Sequence, residues 1–213
     1  MIRINILTPQ ESIKGILEMN LFFIKVLYML CSPISTFLLK IKKVEIEGII
    51  YTSGFPYIRR AKYSSISFGK RVRMLNLQWM NAIGLNHRCI ITSEKNASLK
   101  IGDNVGLSGA SIWCFKQIEI DNNVRIGANT LITDGDAHLD DPRAGAPKPV
   151  HICENVWLGM NVTVLKGVTI GKNTLIGAGS VVTKDIPENV IAAGNPCKVV
   201  KELDDEVIKK LEA

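Results

Sequence analysis

The stretch Ile152–Ile186, ICENVWLGMNVTVLKGVTIGKNTLIGAGSVVTKDI, accepts a six-residue ruler without a slip. Large aliphatic residues stand at Ile152, Leu158, Val164, Ile170, Ile176 and Val182. Four places after each come Val156, Val162, Val168, Thr174, Ser180 and Ile186, all small or β-branched. A period of six is neither the 3.6 of a helix nor the alternation of a long strand. It suits a coil of short flat strands joined by tight corners, each strand turning one large side chain inward. Successive coils then stack as parallel strands about 4.8 Å apart. Asn155, Asn161 and Asn173, with Gly159, Gly171 and Gly177, fall where corners need positive φ, which Gly adopts freely and Asn tolerates.

Upstream the pattern is looser. Val44 begins β-like sequence, and Ile66–Val72 reads as a hexad with Phe68 and Val72 inward. Leu75–Cys89 is irregular and carries Trp79, Asn81, Asn86 and His87. Regularity returns with Ile101 and Val105, then Leu107 with Ser111. A one-residue slip near Trp113–Lys116 precedes Ile120, Ile126 and Ile132, whose partners include Val124 and Thr130. From Thr133 to Pro149 the ruler fails in a segment of aspartates, Gly, Pro and one His, which predicts a loop thrown out from a rigid coil. Past Val182 the chain is expected to leave the coil and end in a short helix over 203–213, with Leu203, Val207, Ile208 and Leu211 on one face.

The N-terminal 43 residues form a separate segment. Residues 1–12 are polar and lack a basic stretch running into an apolar core, which argues against a cleaved signal peptide. Ser12–Cys31 reads as a helix of growing apolarity, Ser32-Pro33 as its interruption, and Ile34–Ile41 as a second short helix before Lys42 and Lys43. Each uninterrupted apolar run is short of the ~20 residues that span a bilayer. Two roles fit: contact with a membrane surface, or a helical cap on the coil and its oligomer partner.

The chain has 213 residues, 46% hydrophobic, with a formal net charge of +6. That charge suits an anionic partner. With 6% aromatics and no helix-turn-helix or zinc-finger pattern, cofactor phosphates or a membrane surface fit better than nucleic acid. Five scattered cysteines without a C-x-x-C pair point to a reduced, cytoplasmic compartment and to no thiolate metal site; Cys153 and Cys197 are expected to be buried.

Two passages carry a resemblance: residues 154–203, from ENVWLGMN to CKVVKEL, and residues 126–142, IGANTLITDGDAHLDDP. Both resemble the hexapeptide-repeat acyltransferases, and among them the O-acetyltransferases of galactosides, maltose and envelope polysaccharides. The resemblance covers about residues 64–203. It implies an all-β, left-handed parallel β-helix over 44–202 and a homotrimer with active sites between subunits. It also implies acetyl-CoA as co-substrate, with no covalent enzyme intermediate and no metal.

Carried over by position, His138 in the 133–149 loop matches the general base. A sugar hydroxyl is a weak nucleophile, and imidazole is the side chain able to take its proton near neutral pH. Trp157 matches the residue beside the pantetheine arm and thioester. The N–H of Met160, next to Gly159, matches the donor to the thioester oxygen, and Ala178 the place where the arm runs close to the coil. Thr183, Lys184, Lys198 and Lys201 match positions at the coenzyme's nucleotide end, with lysine where relatives often carry arginine.

The chain also departs from the pattern. Leu107 and Phe115 stand where a sugar-binding Asn and Asp are expected. With the apolar N-terminus, this favours a capsule, O-antigen or exopolysaccharide precursor over a small free sugar. Asn86, His87, Trp113, Asp134 and Asp136 are the candidates to line the acceptor cleft. Three other readings are weighed: N-acylation of an amino sugar, a carbonic-anhydrase-like zinc site, and a catalytically silent scaffold. The zinc site would need His87, His138 and His151 together, and their spacing does not match.

Overall fold

The structure, a computed structural model, describes residues 9–138 and 140–212, with side chains from residue 23 onward. Residues 1–8, on which part of the signal-peptide reading rests, lie outside the described residues. From Glu45 the chain visits three parallel sheets in strict rotation, so three strands make one turn of a coil with three faces. The first face runs from Glu45–Ile46 to Thr169–Ile170, and the third from Tyr57–Arg60 to Val181–Val182. The second face is the longest, with eight strands from Tyr51–Ser53 through Arg73–Leu75, Gly106–Ser108, Arg125–Ile126, Trp157–Leu158 and Leu175–Ile176. Val190–Ala193 and Lys198–Glu202 complete it, the last strand running antiparallel. The coil therefore does not end at Val182. Ile186 bridges to Ile170 and Val190–Ala193 pairs with Leu175–Ile176, adding most of another turn.

The hexad residues are the core. Ile152, Leu158, Val164, Ile170, Ile176 and Val182 are fully buried, as are Val156, Val162, Thr174 and Ser180. Burying one such aliphatic is worth about 1.5–3 kcal/mol, which the stack sums along its length against chain entropy. The slip resolves into two irregular corners: the one before Ala110 is one residue short, so that Ala110 and Ile112 face inward in place of Ser111, and the one before Ile118 is longer than the period.

Asn and Gly divide the corner work. Asn155, Asn161 and Asn173 take φ of 60°, 54° and 59°. The amides of Asn155, Asn173 and Asn189 also form a ladder, Asn155 Nδ2 to Asn173 Oδ1 at 3.0 Å and Asn173 Nδ2 to Asn189 Oδ1 at 2.8 Å. Gly159, Gly171 and Gly177 are not among the positive-φ residues, against expectation. They are small because the next coil lies against them: a Cβ on Gly159 would sit 2.6 Å from the Ala178 nitrogen.

The N-terminal segment is one helix, α1 (Pro9–Ile41), which runs straight through Pro33. The expected break does not occur because the helix is held from outside. Ser32 Oγ accepts from the Thr52 N–H at 3.0 Å, and Thr36 Oγ1 accepts from the Ile50 N–H at 3.1 Å. These bonds, with buried Cys31 and Leu39, offset the roughly 3 kcal/mol that an interior proline costs. The helix is inside out: Ser32, Ser35 and Thr36 face the coil, while Met29, Leu30, Ile34, Phe37 and Ile41 are exposed. By length and composition alone, Phe23–Ile41 is apolar enough to cross a membrane. At the other end α2 (Asp205–Glu212) starts after Leu203 and lies along the asparagine ladder, where Asn155 Nδ2 donates to Leu211 O.

Candidate active site

A groove of about 370 Å³ runs along the corner between the second and third faces. Its floor is made of corner pairs from successive coils, Gly127–Ala128, Gly159–Met160 and Gly177–Ala178, and Trp157 forms one wall. Glycine is required there because a Cβ on Gly127 would meet the Met160 nitrogen at 2.7 Å. The groove thus gathers four residues singled out from the sequence: Trp157, Gly159, Met160 and Ala178. The N–H groups of Ala128, Met160 and Ala178 donate to no carbonyl or side chain among the described residues, leaving one free donor per coil. Trp157 is half-exposed, with its ring available to a ligand.

The register extends the groove in one direction. On the second face Trp157 pairs with Leu175, Leu175 with Ile191, and Ile191 with Lys201. Lys201 therefore stands three rungs from Trp157, about 14 Å away at parallel-strand spacing. Lys198 sits on the same antiparallel strand, opposite Ala193. Thr183 and Lys184 are exposed just past Val182 on the third face. Lys201 contacts Asp204 at 3.2 Å in an exposed pair, which a phosphate could displace cheaply.

The 133–149 loop is stapled at both ends. Asp134 is fully buried, and its carboxylate accepts from the N–H groups of Phe115, Lys116 and Gln117 at 2.6, 2.8 and 2.6 Å. It is therefore a structural anchor and does not line an acceptor cleft. It also accounts for the longer of the two irregular corners, since residues 115–117 are shaped around this carboxylate. Phe115 packs under Gly135 and stacks on Trp113, with ring centroids 4.7 Å apart, while Trp113 Nε1 donates to Glu94 at 2.9 Å.

Further along, Asp136 pairs with Lys166, which also donates to Gly145 O at 3.0 Å. The lysine's hydrogen bond and charge hold the Asp136 carboxyl below its ordinary range. Asp136 thus joins the two sides of the loop, and His138 stands exposed between these anchors.

The irregular segment 76–89 supplies residues that the sequence reading left unassigned. Asn81 and Ile83 reach the groove beside Trp157 and Met160. The only available signal was negative, an interrupted hexad pattern rich in polar and aromatic residues. Asn76 ties the segment down, accepting from the Cys89 N–H at 2.9 Å and donating to Thr52 Oγ1 at 2.6 Å. Asn86 is exposed with its N–H bonded to Asn129 Oδ1, and His87 Nδ1 meets Arg88 O at 2.8 Å. Neither lines the groove.

Among the described residues one group of potential metal ligands converges, Asp121, His151 and Cys153, and it includes neither His87 nor His138. Cys153 is partly buried, short of the full burial expected, and its thiol is pushed up by burial and by Asp121, Glu188 and Glu119.

A coil of stacked hexads with a glycine-floored groove and a stapled loop defines a class. The chain belongs to the hexapeptide-repeat family of bacterial transferases, whose six-repeat pattern matches residues 149–184. A galactoside O-acetyltransferase of Lactococcus lactis is 50% identical over 97 residues, 43% of this chain and 46% of that protein. A maltose O-acetyltransferase of known structure from Clostridium difficile is 31% identical, over 70% of this chain and 67% of that one, with a TM-score of 0.45. The fold is shared with a mutant of AntD, an N-acyltransferase from Bacillus cereus solved with dTDP and coenzyme A. There the TM-score is 0.60 at 18% identity, over 81% of this chain and 93% of that one. The chain spans about half the length of the curated relatives it matches.

Proposed function

We propose that the protein is a coenzyme-A-dependent O-acetyltransferase that moves an acetyl group from acetyl-CoA to a sugar hydroxyl of a bacterial envelope-polysaccharide precursor. The observation that carries this reading is the groove itself. Its free N–H groups, the Trp157 ring and a line of register ending at Lys201 fit an extended thioester-bearing arm with a phosphate-rich end.

In the reaction, His138 takes the proton from the acceptor hydroxyl as the oxygen attacks the thioester carbonyl. The Met160 N–H donates to the developing oxyanion, and the carbon–sulfur bond then breaks to release the CoA thiolate, which regains a proton. Thr183, Lys184, Lys198 and Lys201 hold the nucleotide end. Trp113, Asn86 and His87 are assigned to the acceptor side.

The coil is taken to be left-handed and the assembly a homotrimer, with His138 of one protomer facing the groove of the next. Light scattering that found a stable, active monomer would sink that assembly. The exposed apolar face of α1 fits a cytoplasmic protein held peripherally at the inner membrane surface.

The test is thiol release from acetyl-CoA with lipid-linked and nucleotide-linked sugars, followed by mass spectrometry. A hydroxylamine-labile ester supports O-acetylation. A stable amide would assign N-acylation instead, and no release with any acceptor would leave a binding scaffold.

A further inference from the structure

We propose that the second face carries a binding site for a phosphorylated acceptor, formed by Arg73 and Arg125 on either side of Gly106, with Arg71 at its outer edge. This rests on the acyl-transfer reading above and adds the chemistry by which the acceptor is held.

The register sets these residues in one outward row. Tyr51 pairs with Arg73, Arg73 with Gly106, Gly106 with Arg125, and Arg125 with Trp157. Arg73 and Arg125 are thus two rungs apart, about 10 Å at the backbone. Gly106 between them has no side chain, and the space a Cβ would take is open for 4 Å around. The result is a notch of about 330 Å³, with Arg73 and Arg125 at its sides, Tyr28 of α1 on one flank and Trp157 on the other. A second hollow of about 420 Å³, lined by Tyr28, Tyr51, Arg71 and Arg73, continues it toward the capped end. The notch and the cofactor groove share Ser108, Gly127 and Trp157, so a ligand in one abuts a ligand in the other.

Charge gives the notch its ligand class. Exposed Arg59 and Arg143 pair with carboxylates, but Arg71, Arg73 and Arg125 have no acidic partner among the described residues. Exposed guanidiniums around a bare floor are suited to phosphoryl oxygens, which they grip in two-point fashion. Two forks two rungs apart fit a diphosphate better than a single carboxylate. The site proposed above for the cofactor's phosphates lies elsewhere, at Lys201, which stands three rungs beyond Trp157. Trp157 therefore separates two cationic ends, one for each substrate. A diphosphate could come from a nucleotide-linked or a lipid-linked sugar, and the notch lies beside the helix whose apolar face is exposed.

The test is calorimetry on the full chain with four probes taken separately: inorganic pyrophosphate, UDP, farnesyl diphosphate and CoA. The double variant Arg73→Gln/Arg125→Gln should weaken the three diphosphate probes by at least about tenfold, the scale of losing charge-assisted hydrogen bonds. CoA affinity should stay within about twofold in that variant, and Lys198→Gln/Lys201→Gln should show the reverse pattern. Tighter binding of farnesyl diphosphate than of UDP supports the site with a lipid-linked acceptor, and the opposite order supports it with a nucleotide-linked one. The proposal is overturned if wild type binds none of the diphosphates, if the arginine variant leaves them unchanged, or if it loses CoA in step with them. A wild type that bound diphosphates but not CoA would leave the arginine site standing and remove the acyl-transfer reading.

Discussion

Lys166 leaves the coil and joins the two sides of the 133–149 loop, pairing with Asp136 on one side and donating to the Gly145 carbonyl on the other. Replacing it by Met should free the loop without disturbing the hexads. The expected result is a fall in acetyl transfer of roughly 10–10²-fold, the scale of a small misplacement of a reacting group, with CoA affinity nearly unchanged. The same pair makes a pH prediction. Its folded-state carboxyl is lowered, so its contribution is complete above the ordinary range near pH 4 and is lost only as pH falls through the depressed value. Asp136→Asn should therefore leave the shape of the transfer profile between pH 5 and 8 as in wild type, while lowering its height. A profile whose acid limb moved would show that Asp136 titrates with the reaction.

For His138 the expectation is a split between binding and chemistry. The side chain is exposed in a loop outside the core, so His138→Ala should change stability by no more than about 0.5 kcal/mol. Transfer should fall by about 10²–10⁴-fold, with CoA binding preserved. Asn should do no better, since it cannot take the proton. Turnover within a few-fold of wild type would move the assignment to His87.

Asp134 should behave in the opposite manner. Asp134→Ala leaves three partly buried N–H groups without their acceptor, each costing about 1–3 kcal/mol. Urea unfolding should show a loss of about 3 kcal/mol or more, and CoA affinity should fall only as far as folding does. A variant of wild-type stability with impaired acceptor use would restore Asp134 to the substrate side.

The two roles read for the N-terminal segment are separable. Vesicles containing anionic lipid should retain the full chain and release it as salt rises, since Lys40, Lys42 and Lys43 follow the apolar face. A chain beginning at Val44 should lose retention and also stability, because the Ile50 and Thr52 N–H groups lose Thr36 and Ser32. If the full chain floats free and truncation only destabilises, α1 serves the coil alone.

The coil was legible in the sequence because its information is local: one aliphatic per six residues and Asn at many of the positive-φ corners. The groove wall was legible through the family resemblance, which singled out Trp157, Gly159, Met160 and Ala178; they stand in two consecutive coils and line one corner groove. What could not be read depends on partners far along the chain. Pro33 breaks a helix by its local chemistry, yet here α1 continues because backbone N–H groups of the coil at Ile50 and Thr52 hold it. Asp134, in a polar loop, gave no sign that three N–H groups near Phe115 wait for its carboxylate. Asn81 and Ile83 reached the groove through a segment with no period at all.

A solenoid has a natural hazard in its terminal rungs, whose unpaired backbone can recruit another chain and start a fibre. Here the Ser32 and Thr36 hydroxyls occupy the Thr52 and Ile50 donors at the first turn, and α1 lies across it. At the far edge of the second face the last strand runs antiparallel and carries Lys198 and Lys201, charges that discourage a further strand. Joining end to end is thus disfavoured where these devices act.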